Sequence, residues 1–474
     1  MAILIKNARY VVQDADTILE NADILIEGQK IAGVFTQSGS GGDGLGSHGF
    51  RSRDGSDSYE GGAFQGTVID ASGKVVMPGL INAHTHLYQN LLKGQKDGLG
   101  LKEWCEEVTF PFANVVHYDH DVQGDDSIGY HWSVLAAEEM LKGGVTCFID
   151  MDLTVESMFR AWTEVGIRGI AAVTMVNRWV PKELHKDDDV RKKEVLDYID
   201  KWHSRPQDHS LVDVFIAPST PFTCTEDLLR WARRIADERD VGTQIHVSET
   251  SWEVPQCVSE TGYTPLAYLS NIGFLDGHVT AVHCVHITRE EIEIAARKGV
   301  IVVYNPKSNM KLGNGFAPIV ELLEAGVTVA LATDGAASND LLDMFEEMRV
   351  GAMVQRGRLA DPSVISAKDV FRMATVGGAR AARIDAGEIK KGKLADIVVL
   401  DVGKAHSIPV GDVINTIVYC SKASDVDTVL VNGEVVVHNG CLTRIDEDAV
   451  RQHALEAAVE KLGRAKGKKM AAEF

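Results

Sequence analysis

Two histidines separated by one residue, His84 and His86, stand at the end of an apolar run in the string Asn82-Ala83-His84-Thr85-His86. On a strand, residues two apart project to one face, so both imidazoles can serve a single metal ion. Alone, the pair reads equally well as two surface histidines. Two further candidate ligands change that balance. His246 lies at the end of a later run, in His246-Val247-Ser248-Glu249, and Asp334 follows another, in Thr333-Asp334-Gly335. Three neutral imidazoles and one carboxylate form a borderline-to-hard donor set suited to Zn2+, Fe2+ or a similar divalent ion. A further run carries His283, with His286 three residues on.

Elements must bring these groups together. Apolar strand-like runs occur at 74–80, 145–149, 167–173, 211–217, 242–247, 279–284, 299–304 and 327–332. Stretches of helical periodicity lie between them, such as Thr225–Glu238 and Arg289–Lys298. Buried strands alternating with helices imply a parallel sheet, and eight of them imply an α/β fold closed as a (β/α)8 TIM-like barrel. An open doubly wound sheet is the alternative, but no Gly-rich phosphate loop follows the first run. In a barrel, reactive residues sit at the C-terminal ends of strands, where these histidines and Asp334 stand.

Short strands read at both chain ends predict a small β-sandwich module built from the two termini. Its N-terminal part spans 1–72, the barrel 73–383, and its C-terminal part 384–474 with a terminal helix over about Glu447 to Lys468. Within the first part, residues 37–66 are dense in Gly, Ser and Asp. Such a segment buries too little apolar surface to offset its ordering entropy, which predicts a flexible insertion.

Composition excludes several roles. The chain of 474 residues carries 68 acidic and 48 basic side chains, a formal net charge of −20. It gains no counterion-release attraction to a phosphate backbone, so nucleic acid is not expected as a partner. No apolar run approaches the roughly 18 residues needed to span a bilayer, so no membrane partner is expected. Seven scattered cysteines without a CxxC pair argue against a disulfide framework. The start of the chain lacks a basic segment followed by an apolar core, and the chain is expected to be cytoplasmic.

Several strings carry a resemblance. PGLINAHTH, IHVSET, VHCVH, YNPKSNMKLGNGFAP, TDGAASND, GEIKKGKLADIVVLD and VDTVLVNGEVV resemble the amidohydrolase superfamily. They are similar to its aminohydrolase branch of methylthioadenosine/adenosylhomocysteine deaminases, guanine and 8-oxoguanine deaminases and s-triazine hydrolases. The resemblance runs from about residue 3 to residue 440, interrupted by the Gly/Ser-rich insertion. It implies one divalent metal per chain, Zn2+ before Fe2+, on His84, His86, His246 and Asp334, because the run LVDVFIAP offers no bridging lysine for a second ion. It further implies that Asp334 acts as acid and base, that Glu249 delivers a proton to a ring nitrogen, and that His283 holds and polarises the attacking hydroxide. The implied reaction is attack of metal-bound hydroxide on the amino-bearing carbon of a small aromatic N-heterocycle. A homodimer or homotetramer is the family-level expectation.

Weaker candidates line the substrate. Gln89, three residues past His86, and Trp104 fall where related deaminases contact the ring, with a surface polar residue and a core aromatic as the bland readings. Ser219, in Ala217-Pro218-Ser219-Thr220-Pro221, takes the place of a histidine in nucleoside-deaminating members. Asn309 is a further candidate, with shaping of the loop after the seventh run as its alternative. Lys102 replaces an acidic residue that grips ribose hydroxyls, and an ammonium has no acceptor to offer a diol. On these departures the expected substrate is an oxopurine, a pterin or an s-triazine. The alternatives are a dechlorinating or N-dealkylating triazine hydrolase, a methylthioadenosine-type nucleoside deaminase, or a cyclic amide hydrolase. Glu249 weighs against the last, and a silent scaffold is disfavoured because no ligand is lost.

Overall fold

The computed structural model describes residues 2–36, 50–51, 58–59, 64–117, 127–152, 154–203 and 210–470. Eight parallel strands form one sheet in sequence order: Leu80–Thr85, Val145–Asp152, Arg168–Met175, Val212–Pro218, Thr243–Val247, Val279–His283, Ile301–Tyr304 and Thr328–Leu331, here the first to eighth barrel strands. Helices such as Glu226–Arg239 and Arg289–Lys298 connect them. The first and eighth strands meet through Asn82, which receives the Thr333 N–H on its side-chain oxygen (3.0 Å) and donates to the Thr333 hydroxyl (2.7 Å). The Asp334 N–H then reaches the His84 carbonyl at 3.1 Å. The expected barrel is therefore present, and its seam is sewn partly by a side chain.

Strand composition explains the burial. A cluster including Cys147, Ile170, Phe215, Val282, Val303 and Ala330 draws residues from across the barrel strands, as alternating side chains filling a barrel must. A larger apolar layer lies between strands and helices.

The run expected over 74–80 is split. Val75–Pro78 pairs in parallel with Tyr10 and Val11 and antiparallel with Ile397–Leu400, so it belongs to the outer sheet. Gly79 makes the change of sheet possible: a Cβ there would stand 2.1 Å from the Thr146 hydroxyl oxygen. The barrel strand proper begins at Leu80.

Both chain ends supply the nine-stranded mixed sheet, which encloses a core of its own with Ile5, Ile24, Ile31, Val76, Ile397 and Leu430. Its Asn432-Gly433 turn has both residues at positive φ, 54° and 75°, as a two-residue hairpin requires. Arg168, at the start of the third barrel strand, is 3% exposed and donates to Asp396 of the outer sheet through Nε (3.2 Å) and Nη2 (3.3 Å). The terminal helix, Glu447–Ala465, is tied to helix Ile128–Lys142 by ion pairs of Glu447 with Lys142 and of Arg451 with Glu138. The flexible insertion expected at 37–66 lies outside the described residues, apart from the two-residue strands Phe50–Arg51 and Ser58–Tyr59 and residues 64–66. Among the described residues, no helix is long and apolar enough to cross a membrane.

Candidate active site

The first, fifth, sixth and eighth strands deliver their C-terminal residues to one mouth. His84 lies on the first strand and His86 just past its end, His246 comes from the fifth, His283 from the sixth, and Asp334 lies three residues past the eighth. Nε2 of His246 lies 3.2 Å from Nε2 of His84, and Asp334 Oδ1 lies 3.6 Å from His84 Nε2 and 3.3 Å from His86 Nε2. Two overlapping triads, His84–His246–His283 and His84–His86–Asp334, each hold their ligand atoms within 4.8 Å of one another. All are buried.

The hydrogen bonds behind these rings decide what the rings can do. His86 Nδ1 faces the Met151 carbonyl and His246 Nδ1 the Ser219 carbonyl, each at 2.8 Å. His84 Nδ1 faces Oε1 of Gln244 at 2.8 Å, and Gln244 is oriented by donating Nε2 to the Ala83 carbonyl at 3.0 Å. A carbonyl oxygen only accepts, so each Nδ1 carries the proton and each Nε2 presents a lone pair. Burial lowers the pKa of His84, and lowers that of His246 further, against the opposing pull of Asp334. Both rings are therefore neutral. Two lone pairs facing each other at 3.2 Å share no hydrogen, and the contact is repulsive until a cation stands between them. These residues fit a divalent metal, with the rear hydrogen bonds setting the tautomers as metal-ligating histidines require.

Asp334 is strained into place. It has φ of 62°, and His283 has φ of 70°, in the left-handed region that non-glycine residues enter at a cost of about 1–3 kcal/mol. The Asp334 carbonyl accepts from Thr85 (3.1 Å) and Thr333 (2.9 Å) hydroxyls, which hold the turn. Its carboxylate accepts from the Ser308 hydroxyl and the Gly335 N–H. Burial alone would raise this acid, and the Ser308 hydroxyl and Gly335 N–H are the donors that favour its ionised form.

Glu249 behaves in the opposite way. Burial, reinforced by the Asp334 charge, pushes its carboxyl up to about 8. Oε1 accepts from Asn314 Nδ2 at 2.8 Å, while Oε2 lies 3.6 Å from His283 Nε2. Glu253 fixes the turn by accepting from the N–H (2.8 Å) and hydroxyl (2.8 Å) of Thr250. The site thus holds one carboxyl kept ionised and one kept protonated, the arrangement that separates base from acid.

A cavity of about 870 Å³ opens over the cluster, with His86, His246, His283, Glu249 and Asp334 in its wall. Gln89, Trp104 and Ser219 line it as well. Gln89 is fixed by accepting the Ala337 N–H at 3.2 Å, and the Trp104 indole N–H has no hydrogen-bond partner among the described residues. Asn309 is outside that lining, with its side-chain oxygen 2.9 Å from His283 Nδ1. Lys102 lines a neighbouring cavity of about 400 Å³ instead. Trp179, Phe222 and Trp252 form an aromatic group, two of whose members reach the main wall.

Sequence reasoning gave Ser308, beside Asn309, a role only in shaping the loop after the seventh run, and missed Gln244 and Glu253 as supports. Gln244 had a signal: two residues before His246 on a strand, it must share that face. Ser308 and Glu253 sit on the helices Pro306–Lys311 and Glu253–Thr261, and no local pattern aims them at the site.

A barrel with convergent imidazoles and a carboxylate at its strand ends is the framework of a metal-dependent hydrolase. The sequence profile of the Amidohydrolase family matches residues 75–436, and the chain belongs to that family. It is 39% identical over 438 residues to a 5-methylthioadenosine/S-adenosylhomocysteine deaminase of Thermococcus sibiricus, covering 92% of this chain and 94% of the relative. It is 38% identical to a 5'-deoxyadenosine deaminase of Methanothermobacter thermautotrophicus, covering 84% and 90%. Among solved structures it is similar to a zinc-bound adenosine deaminase from Xanthomonas campestris (TM-score 0.85, 29% identity, 98% of each chain). It is also similar to the zinc complex of atrazine chlorohydrolase from Arthrobacter aurescens TC1 (TM-score 0.84, 26% identity, 96% of this chain and 100% of the other).

Proposed function

We propose that this metal-dependent aminohydrolase deaminates a 6-aminopurine nucleoside of the methylthioadenosine or 5'-deoxyadenosine kind. The observation that carries the reading is near full-length similarity to nucleoside deaminases at 38–39% identity, against 26% for the triazine enzyme. The comparisons therefore favour the nucleoside alternative over the free oxopurine, pterin or s-triazine expected first. The argument from Lys102 lapses, because that side chain is exposed and lies outside the lining of the main cavity. The cavity's extent also supports a substrate larger than a bare ring.

His84, His86, His246 and Asp334 would hold one divalent ion, with zinc favoured by the two zinc-bound structures. Such an ion supplies a water whose pKa is lowered towards neutrality. Asp334, ionised, would accept a proton from the attacking water and return it to the departing amine. Glu249, protonated, donates to the adjacent ring nitrogen, so negative charge does not build up on the ring. His283, neutral and held by Asn309, orients the attacking oxygen. Gln89, Trp104 and Ser219 would contact the substrate from the cavity wall.

The test is ammonia release from 5'-deoxyadenosine, methylthioadenosine, adenosine and adenosylhomocysteine, beside guanine, isoxanthopterin and melamine. Turnover of a nucleoside above the free rings is expected. Turnover confined to free rings would restore the first expectation, and chloride or alkylamine release from triazines would favour the dechlorinating or dealkylating reading.

A further inference from the structure

Helix Met344–Leu359 carries a carboxyl that makes no contact with the main cavity. Glu347 is wholly buried behind the loop that presents Asp334. Its Oε1 accepts from Nδ2 of Asn339 at 2.6 Å, and that same amide nitrogen donates to the Thr333 carbonyl at 2.6 Å. Thr333 immediately precedes Asp334. The Glu347 Oε2 lies 3.4 Å from the backbone N–H of Lys307, in the first turn of helix Pro306–Lys311. That short helix carries Ser308, which donates to Asp334, and Asn309, which meets His283 at 2.9 Å.

One buried side chain therefore touches both loops, the one after the seventh strand and the one after the eighth. An apolar side chain of similar volume would fill the space without the desolvation cost of a carboxyl. Packing alone does not account for an acid there. The Asn339 amide does: one of its two N–H groups reaches the Thr333 carbonyl, and Glu347 accepts the other.

We infer that Glu347, acting through Asn339, is a positioning residue that sets the loop bearing Ser308 and Asn309 and the loop bearing Asp334 relative to each other. The inference rests on the roles proposed above for Asp334 and His283. Burial pushes the Glu347 carboxyl up to about 8, with Lys307 acting in the opposite direction. A neutral acceptor thus suffices at neutral pH, and glutamine keeps it.

The experiment measures kcat, KM, bound metal and melting temperature for the full chain with Glu347→Leu, Glu347→Gln, Asn339→Ala and the Leu/Ala double substitution. A misplacement near 1 Å costs about a hundredfold in rate. We expect kcat to fall about thirtyfold or more in Glu347→Leu and in Asn339→Ala, with KM within about threefold. The double variant should be no worse than the weaker single, since both remove one interaction. Glu347→Gln should stay within about threefold of the parent, because its one oxygen keeps the short Asn339 bond and only the 3.4 Å contact with Lys307 is given up. The inference is overturned by a folded Glu347→Leu with unchanged kcat, by losses that multiply in the double variant, or by Glu347→Gln as slow as Glu347→Leu. If Glu347→Leu does not fold, unchanged kcat in Asn339→Ala overturns it. Asp334→Asn run in parallel separates the two readings. A dead Asp334→Asn beside an unaffected Glu347→Leu removes only this inference, whereas an active Asp334→Asn removes the proposed roles themselves.

Discussion

Two buried polar clusters stand at opposite ends of the barrel strands. At the start of the third strand, the guanidinium of Arg168 donates to both Asp396 oxygens, to the Ser210 carbonyl at 2.6 Å and to the Asn432 side chain at 3.2 Å. Donors and acceptors match, and charge cancels. At the mouth, three imidazole lone pairs converge with a carboxylate, and among the described residues no donor stands between them. Burial is similar at the two ends. The difference is satisfaction: the foot is complete as folded, whereas the mouth is complete only with a ligand. Four non-glycine residues at the mouth, Ser248, His283, Cys284 and Asp334, have left-handed φ, whereas at the foot Asn432 adopts it within a two-residue hairpin turn. Buried polarity by itself marks neither function nor stability; unmet coordination does.

The comparison can be broken most directly at Asp334. Asp334→Asn keeps size and a hydrogen-bonding head but removes the base, and turnover should fall by about 10^3 or more with the fold intact, since each proton transfer contributes roughly 10^2 to 10^4. Activity within tenfold of the parent would remove Asp334 from the reaction.

Next comes Glu249, whose loss as glutamine should cost about 10^2 to 10^3 in kcat. Its protonated form is the donor, and that form prevails below about 8. Turnover should therefore decline as pH rises through that value, and a bound divalent ion would move the decline lower. Glu249→Gln should abolish this limb of the profile; a limb that persists in the variant belongs to another group.

Metal removal should separate the two ends thermodynamically. A chelator takes away a ligand that binds only the folded state, worth about 4 kcal/mol at a thousandfold excess over Kd. Melting temperature should fall on chelation in the parent and by the same amount in an Arg168 variant. An unchanged melting temperature on chelation would mean the mouth is already satisfied.

The smallest effect on turnover belongs to the foot. Arg168→Met leaves Asp396 buried and unpaired, at a cost of roughly 3–5 kcal/mol in stability. Yet kcat should move by less than about threefold, because no atom of the pair approaches the cavity. A loss of kcat without a loss of stability would show that the two ends are coupled.

His84, His86, His246 and Asp334 were legible in the sequence because a strand has a fixed period and a barrel collects its strand ends on one face. Eight apolar runs and the motifs around them carried the fold. The supporting contacts were less legible. Ser308 meets Asp334 across 26 residues and Gln244 meets His84 across 160, and no local pattern records such a pairing. The split of the first run at Gly79 was hidden because both halves are equally apolar, and only the approach of Thr146 shows where the chain changes sheets. Lys102 misled for the same reason: its place beside a tryptophan in the chain says nothing about which cavity it faces.

The sequence by itself determined the barrel elements and the family and pointed to a candidate donor set, since these depend on residue type and short-range spacing. Tertiary structure alone decided which nitrogen of each imidazole is free, which carboxyl stays ionised and which stays protonated. Those outcomes depend on the carbonyls, amides and charges that folding brings within about 3 Å, where hydrogen bonding and desolvation act.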